Sequence, residues 1–143
     1  MRDNDAMRDI TKDTRLCISL SARPTNIGTR FHNYLYEKLD LDFVYKAFSA
    51  TDIRDAIAGV RGLSIRGCSV SMPWKEDVIA LVDEMTPSAN AISSVNTIVN
   101  DDGRLTAYNT DFIALQAAEQ FALYTGVRPT PEQVAEASAY SRA

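Results

Sequence analysis

The feature that most constrains the fold is an alternation of short apolar segments with longer amphipathic ones. Apolar runs typical of strands are predicted at 15–20, 43–48, 65–71, 94–99 and 104–108. The stretches between the early strands have helical periodicity. For example, Phe31, Leu35 and Leu39 occur at four-residue spacing. Because parallel strands need a crossover connection, the alternation predicts a three-layer α/β fold: a mainly parallel sheet with helices on both faces.

The later part of the chain departs from this alternation. Asn100-Asp101-Asp102-Gly103 separates the last two predicted strands and is a tight hairpin signal, so we expect one antiparallel strand. Further helices are expected after an N-cap at Thr51, from Pro73, after Thr86-Pro87, from Asp111 to Tyr124, and at a Thr130–Gln133 capping box.

Length and composition fit one domain of ordinary globular balance. The chain has 143 residues and a formal charge of -4, which gives no reason to expect nucleic acid or an anionic membrane as partner. There is no apolar run of about 18 residues. One His and two Cys do not suggest a metal site. We expect a cytoplasmic location, a flexible lead-in at 1–14, a main domain at 15–115, and C-terminal helices at 116–143 that complete it.

Polar residues collect where the predicted strands end, which is where ligands bind in such sheets. Their hydroxyl, amide, amine and carboxylate groups suit a small polyhydroxylated acid. The set comprises Ser19, Ser21, Ser71, Lys75, Asn96 and the run Asn109-Thr110-Asp111.

Each of these residues also has a structural explanation. Ser19 and Ser21 could cap turns, and Lys75 could be a solvated surface charge, although a lysine in the first turn of a helix opposes the helix dipole. A buried Asn96 needs hydrogen-bond partners whatever its role. The run at 109–111 could serve as an N-cap.

Three motifs, in the same order along the chain as in the family, resemble the substrate domain of shikimate/quinate dehydrogenases. The resemblance is closest to the shikimate-dehydrogenase-like subgroup. The motifs are SMPWK at 71–75, SVNTI at 94–98 and NTD at 109–111, and SLSARP at 19–24 resembles the family's first substrate loop. The resemblance covers about residues 14–115. Ser69 and Ser71 stand where many members have Asn and Thr.

The resemblance implies a role for each matching residue. Ser19 and Ser21 would bind the substrate carboxylate, with Ser71 in the same site. Lys75 would be the general acid/base at the reacting hydroxyl, Asp111 would hydrogen-bond that hydroxyl and Lys75, and Asn96 a neighbouring hydroxyl. A lysine serves as a base near neutral pH only if its pKa is lowered.

The family's nicotinamide-binding domain has no counterpart here. The six glycines form no G-x-G-x-x-G pattern, so we expect no bound cofactor in this chain, where full-length members use NADP or NAD. The run at 116–121 resembles the family's C-terminal helix, as if the middle had been excised and the ends joined in one continuous helix from Phe112 to Tyr124. Gln116 then resembles a substrate ligand. If Asp111 lay in the same helix, the two side chains would point about 140° apart.

Three functions follow as hypotheses. The first is an isolated fragment that binds shikimate, quinate or a relative without redox chemistry. The second is a subunit that recruits a nucleotide domain in trans. The third is a non-enzymatic binding or dimerising module on the same scaffold. An uncovered domain surface also predicts a homo-oligomer.

Overall fold

The computed structural model describes residues 8–110 and 116–143. In this part of the chain the strands are β1 (Arg15–Ser21), β2 (Phe43–Ser49), β3 (Gly67–Val70), β4 (Glu84–Met85), β5 (Thr97–Asp101) and β6 (Arg104–Tyr108). The α-helices are α1 (Ile27–Lys38), α2 (Ile53–Gly62), α3 (Pro87–Ile92), α4 (Gln116–Thr125) and α5 (Pro131–Ser141), with a 3₁₀ helix at Asp77–Leu81.

The strands form one sheet in the order β2-β1-β3-β5-β6-β4. β1 pairs in parallel with β2 and β3, and β6 pairs in parallel with β4. β5 runs antiparallel to both of its neighbours, β3 and β6. The predicted fold class, a mainly parallel sheet with one antiparallel strand, is therefore confirmed.

Helices cover both faces of the sheet and bury two separate apolar clusters. We call the first the aliphatic face; it packs α2, α3 and the 3₁₀ helix against the sheet through residues such as Ile57, Val60 and Ile98. The second, the aromatic face, packs α1, α4 and α5 through residues such as Phe121 and Tyr124. The two faces follow from the pleat, because successive strand residues point to opposite sides.

Two local predictions are wrong. The helix expected from Pro73 does not form there: Trp74 N–H bonds to the Ser71 carbonyl in a turn, and the chain enters a 3₁₀ helix only at Asp77. The N-cap of α2 is Asp52 rather than Thr51. The Asp52 side chain accepts from Asp55 N–H, and its carboxylate also suits the positive end of the helix.

Other local predictions are confirmed. The Thr130–Gln133 capping box forms as predicted, with each side chain bonded to the other's backbone N–H. The hairpin turn also forms, and Asp102 and Gly103 both have positive φ values, 51° and 93°, as a tight two-residue turn requires. The expected helix over 112–124 is present from Gln116; the remainder, with Asp111, lies outside the described residues.

The edge strand β2 is tied to α1 through its backbone. Asn33 on α1 donates from Nδ2 to the Tyr45 carbonyl at 2.9 Å, and its Oδ1 accepts from Tyr45 N–H at 3.0 Å. The side-chain amide thus replaces a neighbouring strand at this position. The lead-in joins the same region, since Arg8 donates to the Leu41 carbonyl and the Thr14 hydroxyl donates to Asp42 at 2.8 Å.

Candidate functional site

Backbone hydrogen bonds draw three loops together at the carboxyl edge of β1 and β3. Ser71 N–H donates to the Leu20 carbonyl at 2.9 Å, and Val70 N–H donates to the Asn96 carbonyl at 2.9 Å. Val95 N–H in turn donates to the Lys75 carbonyl at 2.9 Å. Since β5 is antiparallel, its first residues rather than its last lie at this edge. The segments that carry Ser71, Lys75 and Asn96 therefore meet, although they are distant in sequence.

The two serines of the first loop sit on the β1 side of this edge. Ser19 is half-buried and faces Ser69 across the β1–β3 pairing. Ser21 Oγ accepts a hydrogen bond from Arg23 N–H at 2.9 Å. Ser21 therefore does cap a turn, as the structural explanation of this residue expected. Lys75 is half-buried and Ser71 is exposed at the same edge.

Asn96 is fully buried, and its carboxamide oxygen is heavily used. Oδ1 accepts from Thr97 Oγ at 2.8 Å, from Thr110 N–H at 2.9 Å and from Thr110 Oγ at 3.2 Å. These bonds fix the chain that leaves β6 against the start of β5. Because the oxygen already has three donors, a ligand contact from Asn96 would go through Nδ2, which can only donate.

The run at 109–111 is described only in part. Asn109 is buried and donates from Nδ2 to the Ser94 carbonyl at 3.0 Å, which joins the end of β6 to the loop before β5. Thr110 is buried against Asn96. Asp111 lies outside the described residues, so its pairing with Lys75 stays a prediction.

Two glutamines of α4 differ in environment. Gln116 is exposed and lines a cavity of about 320 Å³ with Phe31 of α1 and Arg142. Gln120, one turn further on, is buried and donates from Nε2 to the Asn96 carbonyl at 3.1 Å and to Thr97 Oγ at 2.9 Å. The sequence prediction named Gln116 and missed Gln120. The local sign of Gln120 is that it is a polar residue next to Phe121, on the side of α4 that is buried.

Three hydroxyls on the aromatic face form a connected row, which we call the hydroxyl row: Tyr45, Ser69 and Tyr124. Tyr45 OH donates to Ser69 Oγ at 3.1 Å, and Ser19 lies opposite Ser69 in the β1–β3 pairing. Ser69 Oγ and Tyr124 OH are 2.8 Å apart. Burial raises the pKa of Tyr45 and of Tyr124 above the ordinary tyrosine value, so both phenols stay protonated.

His32 lies beneath this row without charge. Its ring stacks on Tyr45 with centroids 4.3 Å apart, and only 1% of the residue is exposed. Burial lowers the pKa of His32 to about 3, because the imidazolium would lose its hydration. No pattern in the sequence indicates that the ring of His32 belongs to the core.

The described residues contain neither a cluster of metal-ligand side chains nor a helix suited to span a membrane. Within residues 8–110 and 116–143, no group of three or more His, Cys, Asp or Glu side chains is placed to hold a metal ion. Among the helices in that part of the chain, none is both long enough and apolar enough to cross a membrane.

The profile of the family described as "Shikimate dehydrogenase substrate binding domain" matches residues 25–98, more than half of the chain. The chain belongs to this family. The matched segment runs from the start of α1 to the SVNTI motif and contains the SMPWK motif, so two of the three motifs that carried the resemblance lie inside it.

Curated relatives give the same assignment. A shikimate dehydrogenase-like protein of Haemophilus influenzae is 66% identical over 106 residues, which cover 74% of this chain and 39% of the relative. A shikimate dehydrogenase (NADP(+)) of Streptococcus pyogenes is 43% identical over 109 residues, 71% of this chain and 37% of the relative. The chain thus spans about two fifths of the length of these relatives.

Solved structures share the fold. A shikimate 5-dehydrogenase-like protein superposes with a TM-score of 0.92 at 32% identity, covering 94% of this chain and 100% of that chain. The shikimate 5-dehydrogenase of Listeria monocytogenes, solved in complex with shikimate and NAD, gives a TM-score of 0.69 at 38% identity over 76% of this chain and 38% of that one.

Proposed function

We propose that this chain binds shikimate, quinate or a related cyclohexene or cyclohexane carboxylate at the carboxyl edge of β1 and β3. The observation that carries the proposal is the backbone junction that brings the Ser71, Lys75 and Asn96 segments to one edge. A shikimate-dehydrogenase relative whose structure contains shikimate adds support, because this chain matches its fold at 38% identity.

In this proposal each residue acts through its own chemistry. Ser19 and Ser21 hold the ligand carboxylate with their hydroxyls, and Ser71 borders the same pocket. Asn96 donates from Nδ2 to a ring hydroxyl oxygen. Lys75 and Asp111 hold and move the proton of the neighbouring hydroxyl. Gln116 approaches from α4 beside the cavity that it lines.

The proposal includes no redox turnover by this chain alone. The glycine-rich nucleotide pattern is absent from the sequence. We therefore propose that this chain alone binds neither NADP nor NAD. The excision of a nucleotide domain, like the cytoplasmic location, stays a prediction from the sequence.

Calorimetric titration with shikimate and quinate tests the binding proposal. We expect saturable binding that weakens at least about 10-fold in Lys75→Ala, because a charge-assisted hydrogen bond contributes roughly 1.5–3 kcal/mol. Lys12→Ala is the matched control, since Lys12 is exposed and forms an ion pair with its neighbour Asp13. Absence of binding by the unmodified chain would refute the proposal and favour the non-enzymatic module.

A spectrophotometric assay tests the redox statement separately. With saturating shikimate or quinate and either NADP or NAD, we expect no reduced nicotinamide to form. Reduced nicotinamide in proportion to protein concentration would show that the chain holds a dinucleotide without the usual pattern. Adding a nucleotide-binding domain of the family as a second polypeptide tests the recruitment hypothesis in the same assay.

We also propose a homo-oligomer built through apolar residues near the carboxyl edge. Ile27, at the start of α1, and Met72, just after β3, are 45% and 66% exposed. Exposed apolar groups favour association. Sedimentation that gives a monomer at every concentration would refute this proposal, whereas a Met72→Lys variant should shift the equilibrium toward monomer if it is correct.

A further inference from the structure

Gln120 bonds α4 to the sheet at the candidate ligand edge. The residue is 5% exposed, and its Nε2 donates to the Asn96 carbonyl at 3.1 Å and to Thr97 Oγ at 2.9 Å. Both acceptors lie where β5 begins, and this is the edge to which the proposed function assigns the ligand. Gln120 has no role in that function as stated so far.

The donors and acceptors around Gln120 match in number. An amide nitrogen has two protons to donate, and Gln120 Nε2 uses one for each of its two bonds. A carbonyl oxygen has two lone pairs, and that of Asn96 accepts from Gln120 and from Val70 N–H, the latter at 2.9 Å. Because Thr97 Oγ accepts from Gln120, its own proton is given to Asn96 Oδ1 at 2.8 Å.

The Asn96 carbonyl also belongs to the backbone junction on which the proposed function rests. Val70 N–H reaches it from the end of β3, so Gln120 places α4 at the point where β3 and β5 meet. Apolar contacts such as those of Phe121 hold the helix against the sheet, but they have no preferred direction. Hydrogen bonds to two fixed acceptors do have one. Gln120 therefore fixes how this part of α4 is rotated and shifted on the sheet.

The position of Gln116 depends on this placement. Gln116 lies one helical turn before Gln120, so a shift of α4 at Gln120 is passed directly to it. Both glutamines line the cavity of about 320 Å³, which Gly28 at the start of α1 also borders. Since Gln116 is exposed, the helix backbone rather than close packing sets the point from which its side chain extends.

We propose that Gln120 is a positioning residue: its two hydrogen bonds to the start of β5 place α4 so that Gln116 reaches the ligand. The inference rests on the proposed function and deepens it, since it names the interaction that makes Gln116 a ligand residue. It predicts that Gln120 affects ligand affinity through Gln116 and not independently of it.

A double-mutant cycle on shikimate affinity, measured by calorimetric titration, tests this role. Gln120→Met keeps the length of the side chain and removes both donors. We expect shikimate to bind about 5-fold more weakly to this variant, in line with the net contribution of one hydrogen bond. Gln116→Ala should weaken binding by at least as much. In the Gln116→Ala background, Gln120→Met should change the affinity by less than about 2-fold.

Two additions keep the test valid if Gln120→Met does not fold, which circular dichroism would show. Gln120→Leu repeats the cycle with a branched apolar side chain. In the unmodified chain, the side-chain amide NMR signal of Gln116, assigned by its loss in Gln116→Ala, should shift when shikimate is added. An unchanged signal at saturating shikimate would overturn the inference without any variant at Gln120.

Thr125→Val is the matched control on the same helix. Thr125 lies in the last turn of α4, and its hydroxyl donates to the Phe121 carbonyl at 2.8 Å within that helix. The variant therefore also removes a polar side-chain group from α4, but at the end opposite to Gln116. Shikimate should bind to it as to the unmodified chain.

The outcomes separate the two proposals. If the unmodified chain does not bind shikimate, the proposed function and this inference both fail. If it binds shikimate and Gln120→Met leaves the affinity unchanged, only the positioning role of Gln120 is refuted. The same holds if Gln120→Met weakens binding equally with and without the Gln116 side chain, because Gln120 would then act on the edge as a whole.

Discussion

The two faces of the sheet bury apolar surface of different chemistry. The aliphatic face consists mainly of Ile, Val, Leu and Ala, which need no hydrogen-bond partner. The aromatic face includes tyrosines with buried hydroxyls and packs around the neutral ring of His32. The first face stabilises the sheet by close packing alone. The second also has to satisfy polar groups, and these lead to the candidate ligand edge.

Gly67 gives the largest expected effect and tests whether the aromatic face is packed without spare volume. A methyl group in Gly67→Ala would overlap the Tyr124 ring, so α4 or the ring must move. We expect a loss of about 3 kcal/mol in the free energy of unfolding, at the upper end for overpacking of a core. Urea unfolding of the variant and the unmodified chain measures it.

Gly59→Ala is the matched control on the other face. Gly59 lies in α2, and a Cβ there meets no atom within 4 Å. Alanine favours helix over glycine by about 0.8–1.0 kcal/mol, so this variant should be more stable than the unmodified chain. Equal losses in the two variants would show that the faces do not differ in tolerance.

Acid stability tests the polar character of the aromatic face through His32. The pKa of His32 is about 3 when folded and 6.5 when unfolded, so the unfolded chain binds the proton first. The free energy of unfolding is therefore unaffected by His32 protonation above pH 6.5, and it decreases as pH falls from 6.5 toward 3. We expect a loss of about 2 kcal/mol between pH 6.5 and 5, from about 1.4 kcal/mol per pH unit for one proton.

Urea unfolding across this pH range should give a flatter dependence in His32→Phe, which keeps a ring against Tyr45. His32 is the chain's one histidine, so the difference between the two curves is specific. Parallel curves for variant and unmodified chain would mean that other groups cause the acid sensitivity. A histidine NMR signal that titrates near pH 6 would contradict the burial directly.

The smallest effect concerns the start of α2 on the aliphatic face. Asp52→Ala removes the side chain that accepts from Asp55 N–H and should cost about 1 kcal/mol. Thr51→Ala, one residue earlier, should change stability by less than about 0.5 kcal/mol. Thermal unfolding of both variants checks this order, and the reverse order would restore Thr51 as the cap.

Sequence patterns predicted the aliphatic face well. The helix expected after Thr51 forms and buries Ile53, Ile57 and Val60 at helical spacing, and such periodicity is a direct sign of a face that only excludes water. The alternation of strands and helices predicted the mainly parallel sheet, and the hairpin signal predicted its antiparallel strand. The ligand role of the polar edge stays a prediction, which rests on the rule that ligand groups follow strand ends in such folds.

The aromatic face was predicted less completely. Tyr45, Ser69 and Tyr124 lie on three different elements, and a hydrogen bond between such residues leaves no local pattern. Gln120 differs from Gln116 only in the side of α4 that it occupies, which depends on how the helix docks. The aliphatic face has an exception of its own: Asp77–Leu81 forms a 3₁₀ helix where an α-helix from Pro73 was expected, because Trp74 lies in a turn that delays the helical start.

The side-chain amide of Asn33 also affects how copies of this chain meet in solution. It occupies the outward N–H and carbonyl of Tyr45, which a foreign strand would need in order to extend the sheet there. At the opposite margin β4 is two residues long and offers little length for such pairing. Fibrous, strand-by-strand growth is therefore discouraged at both ends of the sheet.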